Sequence, residues 1–405
     1  MLPTRVAPVR WLHVIASVDA KFGGPVAGLT TLASHCGVDT FQFEVATLDC
    51  PEAECVRRFP VPAFGLGEGN WFSRLAPTYR YSSKLIPWLL SNAQDYDCVV
   101  VNGIWDYHAI AVGKALKGLG VPYVVFNHGM LDPWFKVAHP LKHLKKQIYW
   151  SLFLGRVMRD ADYLLFTAED EMTLARGTFS GYAPRREKVV CYGPNDAPAA
   201  TQGQLQAFAQ LVPGLGRKPF LLFLSRIDPK KGCDLLIEAF GRIAISHGDI
   251  QLVIAGPDLT GWRGDLEKLA KSHGVADRIH WPGMLSGDAK WGAFRKAKAF
   301  ILPSHQENFG IAVAEAMACG TPVLISNKIN IWREIDEDKA GIVASDDVAG
   351  TTELIAQFLQ LSDAEVQAMA GRARASFLSR FCGDRFASDM YNIVVELKKI
   401  YQASK

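Results

Sequence analysis

The stretch AFILPSHQENFGIAVAEAMACGTPVLIS, Ala299 to Ser326, decides the fold. Phe300, Ile301 and Leu302 make an apolar run ended by Pro303, too short for a free-standing helix and bounded by a breaker, which predicts a buried strand. A polar loop follows from Ser304 to Gly310. From Ile311 to Cys319 the apolar residues return at helical spacing. Gly320 stands where a helix takes a left-handed closing residue, and Thr321-Pro322 stops it before the next apolar run. The unit is strand, loop, helix, strand.

Two glutamates flank the predicted helix start, Glu307 in the loop and Glu315 one turn in, so the backbone of Asn308, Phe309, Gly310 and Ile311 lies between two carboxylates. Free N–H groups and the positive end of the helix dipole make such a start an anion site. Carboxylates beside it can accept hydrogen bonds from hydroxyls, and a phosphate with vicinal diols is a sugar nucleotide. A loop in which Glu307 is merely solvated is the other reading.

A second stretch, FLSRIDPKKGCDLLIEAF from Phe223 to Phe240, sets Arg226 just past a short strand and Lys231 before an amphipathic helix starting at Cys233. Cations there fall where open α/β sheets bind ligands. Arg can fork two phosphate oxygens, and Lys supplies a mobile point charge. A plain basic turn capped by Asp234 remains the alternative.

Elsewhere, Trp11 to Ser17 reads as the first strand and Gly23-Gly24-Pro25 as a turn close to a ligand or a plain strand-to-helix turn, before a helix over Ala27 to Cys36. Phe41 to Leu48 is a strand, and Pro51 to Pro77 is irregular. GLGEGN at Gly65 has Asn70 where the dinucleotide fingerprint needs a third glycine. Tyr79 to Asn92 reads as a helix, Cys98 to Val101 as a strand with Asp106 in its exit, and His108 to Leu119 as a helix. Val121 to Phe126 is a strand that delivers Asn127 and His128. Residues 134–159 are basic and aromatic, without an acid, which suits an anionic membrane surface or a solvated face over the core. Asp160-Ala161-Asp162 reads as solvated acids. Gly193 to Arg217, rich in Gly, Pro, Ala and Gln, reads as an interdomain connection. Beyond it strands and helices alternate as in a doubly wound parallel sheet, with Trp281 to Leu285 a strand exit.

The 405 residues are 49% apolar with a formal net charge of +3, enough for two or three domains and without the field of a nucleic-acid binder. No run of 18 apolar residues predicts a membrane span. Arg5, Arg10 and WLHVIASV imitate a short leader, but His13 interrupts the apolar run, so it reads as a strand. The eight cysteines are scattered with no C-x-x-C, which signals neither a zinc site nor a disulfide framework and fits a reducing cytoplasm.

Taken together, Glu307/Glu315 with NFGIAVA between them, SRIDPKKG, GTPV, Gly23-Gly24-Pro25 and NHGMLDPW at Asn127 to Trp134 resemble the retaining nucleotide-sugar glycosyltransferases of family 4, spread over nearly the whole chain in the family's order. The resemblance implies the α/β GT-B fold, two Rossmann-like doubly wound parallel-sheet domains facing each other across a cleft. It implies an N-terminal acceptor domain over 1–198, completed by a C-terminal helix at about 385–405, and a donor domain over 199–384. The implied activity is transfer of a hexose, with UDP-glucose or UDP-galactose favoured, to a glycan or lipid-linked saccharide in exopolysaccharide, capsule or O-antigen synthesis. A GDP-mannose-dependent mannosyltransferase, a sugar-nucleotide epimerase or phosphorylase of the same fold, and a non-catalytic binder are the alternatives. By the same resemblance Arg226 and Lys231 hold the diphosphate without a metal or other cofactor, Glu315 the ribose and Glu307 the transferred sugar. Met284 lies beside the base, His128 faces the sugar, and Asp106 and Asn127 belong to the acceptor side. The expected location, read from the cysteines, is the cytoplasm, with 134–159 the candidate for peripheral contact to the inner face of the plasma membrane beside its reading as a solvated face, and nucleic acid is not a partner.

Overall fold

Several strands of the two all-parallel sheets are apolar runs of four or five residues, buried on both faces by the helices between them, which is why these runs are continuous rather than alternating. The computed structural model describes residues 8–37, 41–68, 79–244 and 246–403, so Arg5, Asn70 and Pro77 fall outside it. The chain forms two compact units, residues 1–193 with 383–405, and residues 194–382.

In the first unit the strands are β1 Val9–Ile15, β2 Phe41–Thr47, β3 Ala63–Gly65, β4 Cys98–Asn102, β5 Tyr123–Phe126, β6 Tyr163–Phe166 and β7 Glu187–Val189. Their order is β3-β2-β1-β4-β5-β6-β7, so the winding reverses between β1 and β4. The second unit holds β8 Phe220–Leu224, β9 Gln251–Ala255, β10 Ile279–Gly283, β11 Ala299–Leu302, β12 Val323–Ser326 and β13 Gly341–Ala344. Its order, β10-β9-β8-β11-β12-β13, reverses between β8 and β11. In open α/β sheets the crevice beyond such a reversal is where ligands bind.

The last helix, Gly383–Ala403, belongs to the first unit and buries Phe386, Met390, Ile393, Val394 and Leu397. Its Phe386 ring meets Phe126 and Tyr192 edge-on, and Glu396 accepts from Tyr163 Oη at 2.7 Å.

Four local expectations are revised. The units divide at Gly193/Pro194 rather than at 198/199, because Asp196 is paired with Arg374 and Pro198 O accepts from Arg295, tying 194–198 to the second unit. The segment read as a connection contains a helix, Gln202–Leu211, closed by a reciprocal Thr201/Gln204 capping box and seated through Phe208 on Phe220. The helix expected from Tyr79 begins only at Leu85, since the Ser82 hydroxyl bonds back to Leu66 O and to Lys84 N. Trp281 and Gly283 lie within β10, not beyond it.

Candidate active site

In the second unit the site grows from the exits of β8 and β11, which are neighbours at the winding reversal. Asp228 caps the short turn Pro229–Lys231 by accepting from Lys230 N at 3.0 Å. Gly232 follows at φ +68°, and a Cβ there would stand 2.3 Å from Pro303 O, so only glycine lets this loop lie against the exit of β11. Lys230 O then accepts from Ser304 Oγ and His305 N at 3.0 and 2.9 Å. Held in this way, the Lys231 ammonium, 7% exposed, makes an ion pair with Glu307.

Glu307 is fixed from the other side: its N–H donates to Lys328 O at 3.0 Å and its carbonyl accepts from Asn330 N at 3.2 Å. Gly310, at φ +77°, is the first residue before the helix Ile311–Ala318, and no side chain caps that helix. A Cβ on Gly310 would lie 3.0 Å from Val313 and 3.5 Å from Glu307 Cγ. Lys231, Glu307 and the helix start are therefore one cluster. Phe309 is buried edge-on to Phe381, and Asn308 accepts from Asn330 Nδ2 at 3.3 Å.

Glu315, also on this helix, is paired with Lys290 at 2.7 Å, and both are largely buried. Lys290, on the helix Gly287–Lys296, was missed from sequence, because its partner is 25 residues away across β11 and no local motif links them. Arg226 is exposed on the β8 exit loop, and Met284, at the exit of β10, is 70% exposed; among the described residues no side-chain hydrogen bond or ion pair joins either to the cluster.

In the first unit Gly23, at φ +71°, closes the turn Ala20–Phe22, and Gly24 opens the helix Gly24–Ala33, its carbonyl bonded by Tyr192 Oη. His128 is a non-glycine residue at φ +51°, an uncommon conformation of the kind that collects at functional sites. Its ring stacks on Phe126 at 4.1 Å. The next amide, Gly129 N, donates to Asn127 Oδ1 and to Glu171 Oε1 at 3.1 and 2.6 Å. Glu171 is almost fully buried and also accepts from Thr167, so it pins the turn that presents His128. Sequence analysis missed it, since AEDEM carries three acids and nothing marks the buried one.

Burial lowers His13 and His128 to about 3 each, so both rings are neutral at ordinary pH. Trp11 Nε1 donates to His13 Nε2 at 2.8 Å. A neutral ring that accepts at Nε2 carries its proton on Nδ1, and His13 Nδ1 faces the Asn102 amide at 2.9 Å. Asn102 thus bridges the two rings: its Nδ2 also lies 3.3 Å from Val100 O, and its Oδ1 lies 3.2 Å from His128 Nε2.

Asp106 stands at the start of the helix Tyr107–Ala115, and burial pushes its carboxyl up to about 6. Asn127, expected on the acceptor side, is instead fully buried: its NH2 bonds Leu165 O at 2.9 Å and its oxygen holds Gly129 N. Asp162 also departs from expectation. It is buried rather than solvated, accepting from Tyr123 N at 3.1 Å and from Tyr401 Oη at 3.2 Å. Among the described residues no three His, Cys, Asp or Glu side chains are grouped so as to hold a metal ion, and no helix is long and apolar enough to cross a membrane.

Two family models match: glycosyl transferases group 1 over residues 212–375, and a glycosyl transferase 4-like domain over residues 23–193. A D-inositol 3-phosphate glycosyltransferase of Geodermatophilus obscurus is 30% identical over 197 residues, 46% of this chain and 43% of that protein. The matched region thus spans less than half the length of that relative. A GDP-mannose:cellobiosyl-diphosphopolyprenol alpha-mannosyltransferase of Xanthomonas campestris is 25% identical over 91% of this chain and 89% of its own. The Anabaena protein HepE, solved in complex with UDP, superposes with a TM-score of 0.75 at 16% identity, over 96% of this chain and 100% of that one. With one model matched in each unit and the two-sheet fold shared along the chain, the protein belongs to the GT-B glycosyltransferases of family 4.

Proposed function

We propose that the protein is a retaining hexosyltransferase that moves a sugar from a nucleotide diphosphate to a hydroxyl of a glycan or lipid-linked saccharide, in the assembly of a bacterial surface polysaccharide. The observation that carries this reading is the Lys231–Glu307 pair at the β8/β11 reversal, beside a helix start that no side chain caps. Breaking a glycosyl–phosphate bond puts negative charge on the leaving diphosphate. Lys231, Arg226 and the helix start supply positive charge there without a metal. Glu307 accepts from hydroxyls of the transferred sugar and Glu315 from the ribose, while the neutral His128 ring hydrogen-bonds a sugar hydroxyl. Carboxylates bracketing a helix start suit donor binding better than an acid and a nucleophile across a scissile bond. The leaving phosphate therefore takes the acceptor's proton on the face it departs from.

UDP-glucose or UDP-galactose is the favoured donor, in line with HepE, whose structure was solved with UDP and glucose. GDP-mannose is the second reading, in line with the Xanthomonas mannosyltransferase that matches along most of the chain. The test is a thermal-shift series with UDP, GDP and their sugars, followed by NMR of the product's anomeric proton. A donor at 100 times its Kd adds about 2.7 kcal/mol. Nucleotide release that requires acceptor, survives EDTA and retains configuration is the expected result. Release that ignores acceptor points to an epimerase or phosphorylase and overturns the reading, as does inversion.

A further inference from the structure

The arm running from Trp134 to Asp160 has two unlike faces. It comprises Trp134–Ala138, Pro140–Tyr149, a π-helical turn Trp150–Leu154 and Gly155–Asp160. One face is bolted down. The His143 ring stacks on Phe179 at 4.8 Å and Trp150 on the same ring at 4.9 Å. Gln147 accepts from Ser180 N at 2.9 Å, and the Lys146 ammonium lies 4.1 Å over Trp105. At about 100° per residue, these four positions share one side of a helix.

The opposite side carries Leu141, Leu144, Ile148 and Leu152 at spacings of three and four, with Val137 and Phe153 adjoining. They are six of the fourteen large hydrophobics exposed among the described residues, with Val137 85%, Leu141 77% and Leu152 66% accessible. Single exposed apolar residues are ordinary, whereas a continuous stripe marks a contact surface. Lys136, Lys142, Lys145, Arg156 and Arg159 stand exposed around it, and no acid occurs from Pro133 to Arg159.

We infer that this arm seats the protein on an anionic lipid bilayer, with the stripe in the headgroup–acyl boundary and the cations on lipid phosphates. An amphipathic helix lying in the interface has this division of residues. A second copy fits less well, because isologous pairing would bring two sets of like charges together. The arm's inner side adjoins the element that carries Asp106: Tyr149 Oη is 3.3 Å from Tyr79 Oη, and Tyr79 O accepts from Tyr107 N at 3.0 Å. A bilayer-anchored acceptor would arrive on this side; that clause rests on the sugar-transfer reading, while the docking surface does not.

The experiment is co-sedimentation of the full chain with vesicles of phosphatidylcholine alone or mixed with phosphatidylglycerol. Binding to the mixed vesicles is expected to be about tenfold stronger or more, falling with salt. The Leu141→Ser/Leu144→Ser/Ile148→Ser variant should lose about tenfold in partition, and Lys142→Glu/Lys145→Glu should lose the preference for phosphatidylglycerol. Because these side chains are exposed, circular dichroism and nucleotide-induced thermal shifts should match the parent. Equal partition of parent and triple variant, or no binding to either vesicle, overturns the proposal. A parent dimer that the triple variant abolishes would assign the face to a second copy and overturn it too. Failure of sugar transfer to a soluble acceptor with vesicle binding intact would instead sink the transferase reading alone.

Discussion

The two units place polar groups at their winding reversals in opposite electrical states. In the second unit the groups are charged and paired, Lys231 with Glu307 and Lys290 with Glu315. In the first they are desolvated and neutral, His13 and His128 joined through Asn102 with a further buried ring at His108. A diphosphate needs fixed positive charge held ready. A sugar hydroxyl needs a neutral donor or acceptor, and burial keeps these imidazoles uncharged. The contrast teaches that one sheet architecture can serve both needs by changing what flanks its reversal.

The strongest way to break this contrast is at the charged cluster. Lys231→Ala is expected to lower turnover about 100- to 1,000-fold, and Glu307→Ala at least about tenfold, read by acceptor-dependent nucleotide release. Stability should show the pair as well: Lys231→Met leaves a carboxylate alone, and Lys231→Met/Glu307→Gln should recover most of the loss. Turnover near the parent's in Lys231→Ala would remove that residue from the site.

Next comes pH. His13, His108 and His128 are lowered to about 3, 4 and 3, below the 6.5 of an ordinary imidazole. Between those values the unfolded chain binds more protons, so stability is fully present above about pH 6.5 and is lost as pH falls toward 3. Each ring contributes a slope of about 1.4 kcal/mol per pH unit. Hydrogen exchange in β1 and β4, corrected for its intrinsic pH dependence, should show protection falling over this window. Flat protection there would mean that the rings are charged in the fold and that the contrast fails.

The smallest effect tests Lys290. Removing its contact with Glu315 costs about 1 kcal/mol of orientation, so Lys290→Ala should raise KM for the nucleotide sugar about fivefold and leave kcat nearly unchanged. A selective fall in kcat would place Lys290 on the reacting groups instead.

The strand, loop and helix from Ala299 to Ser326 could be read in advance because Pro303, Gly310 and the Gly320-Thr321-Pro322 stop punctuate short apolar runs. The helix Gln202–Leu211 could not be read from composition, since it buries only Gln204 and Phe208; the signal available was Thr201 followed by Gln204. Paired charges such as Lys290 and Glu315, and the network from Trp11 to His128, join residues far apart in sequence. Only the sheet order, with β4 beside β1 and β5 beside β4, brings Asn102 between the two histidines. Position after a strand likewise does not tell whether an amide faces outward or, as Asn127 does, holds the turn it sits in.

The helix Gly383–Ala403 has a consequence for synthesis. As the chain leaves the ribosome, the unit started first lacks Met390, Ile393 and Leu397 until its final residues emerge, by which time residues 194–382 are already out. The later-started body is therefore free to mature earlier, and the opening one waits with an uncovered apolar flank for its tail to return.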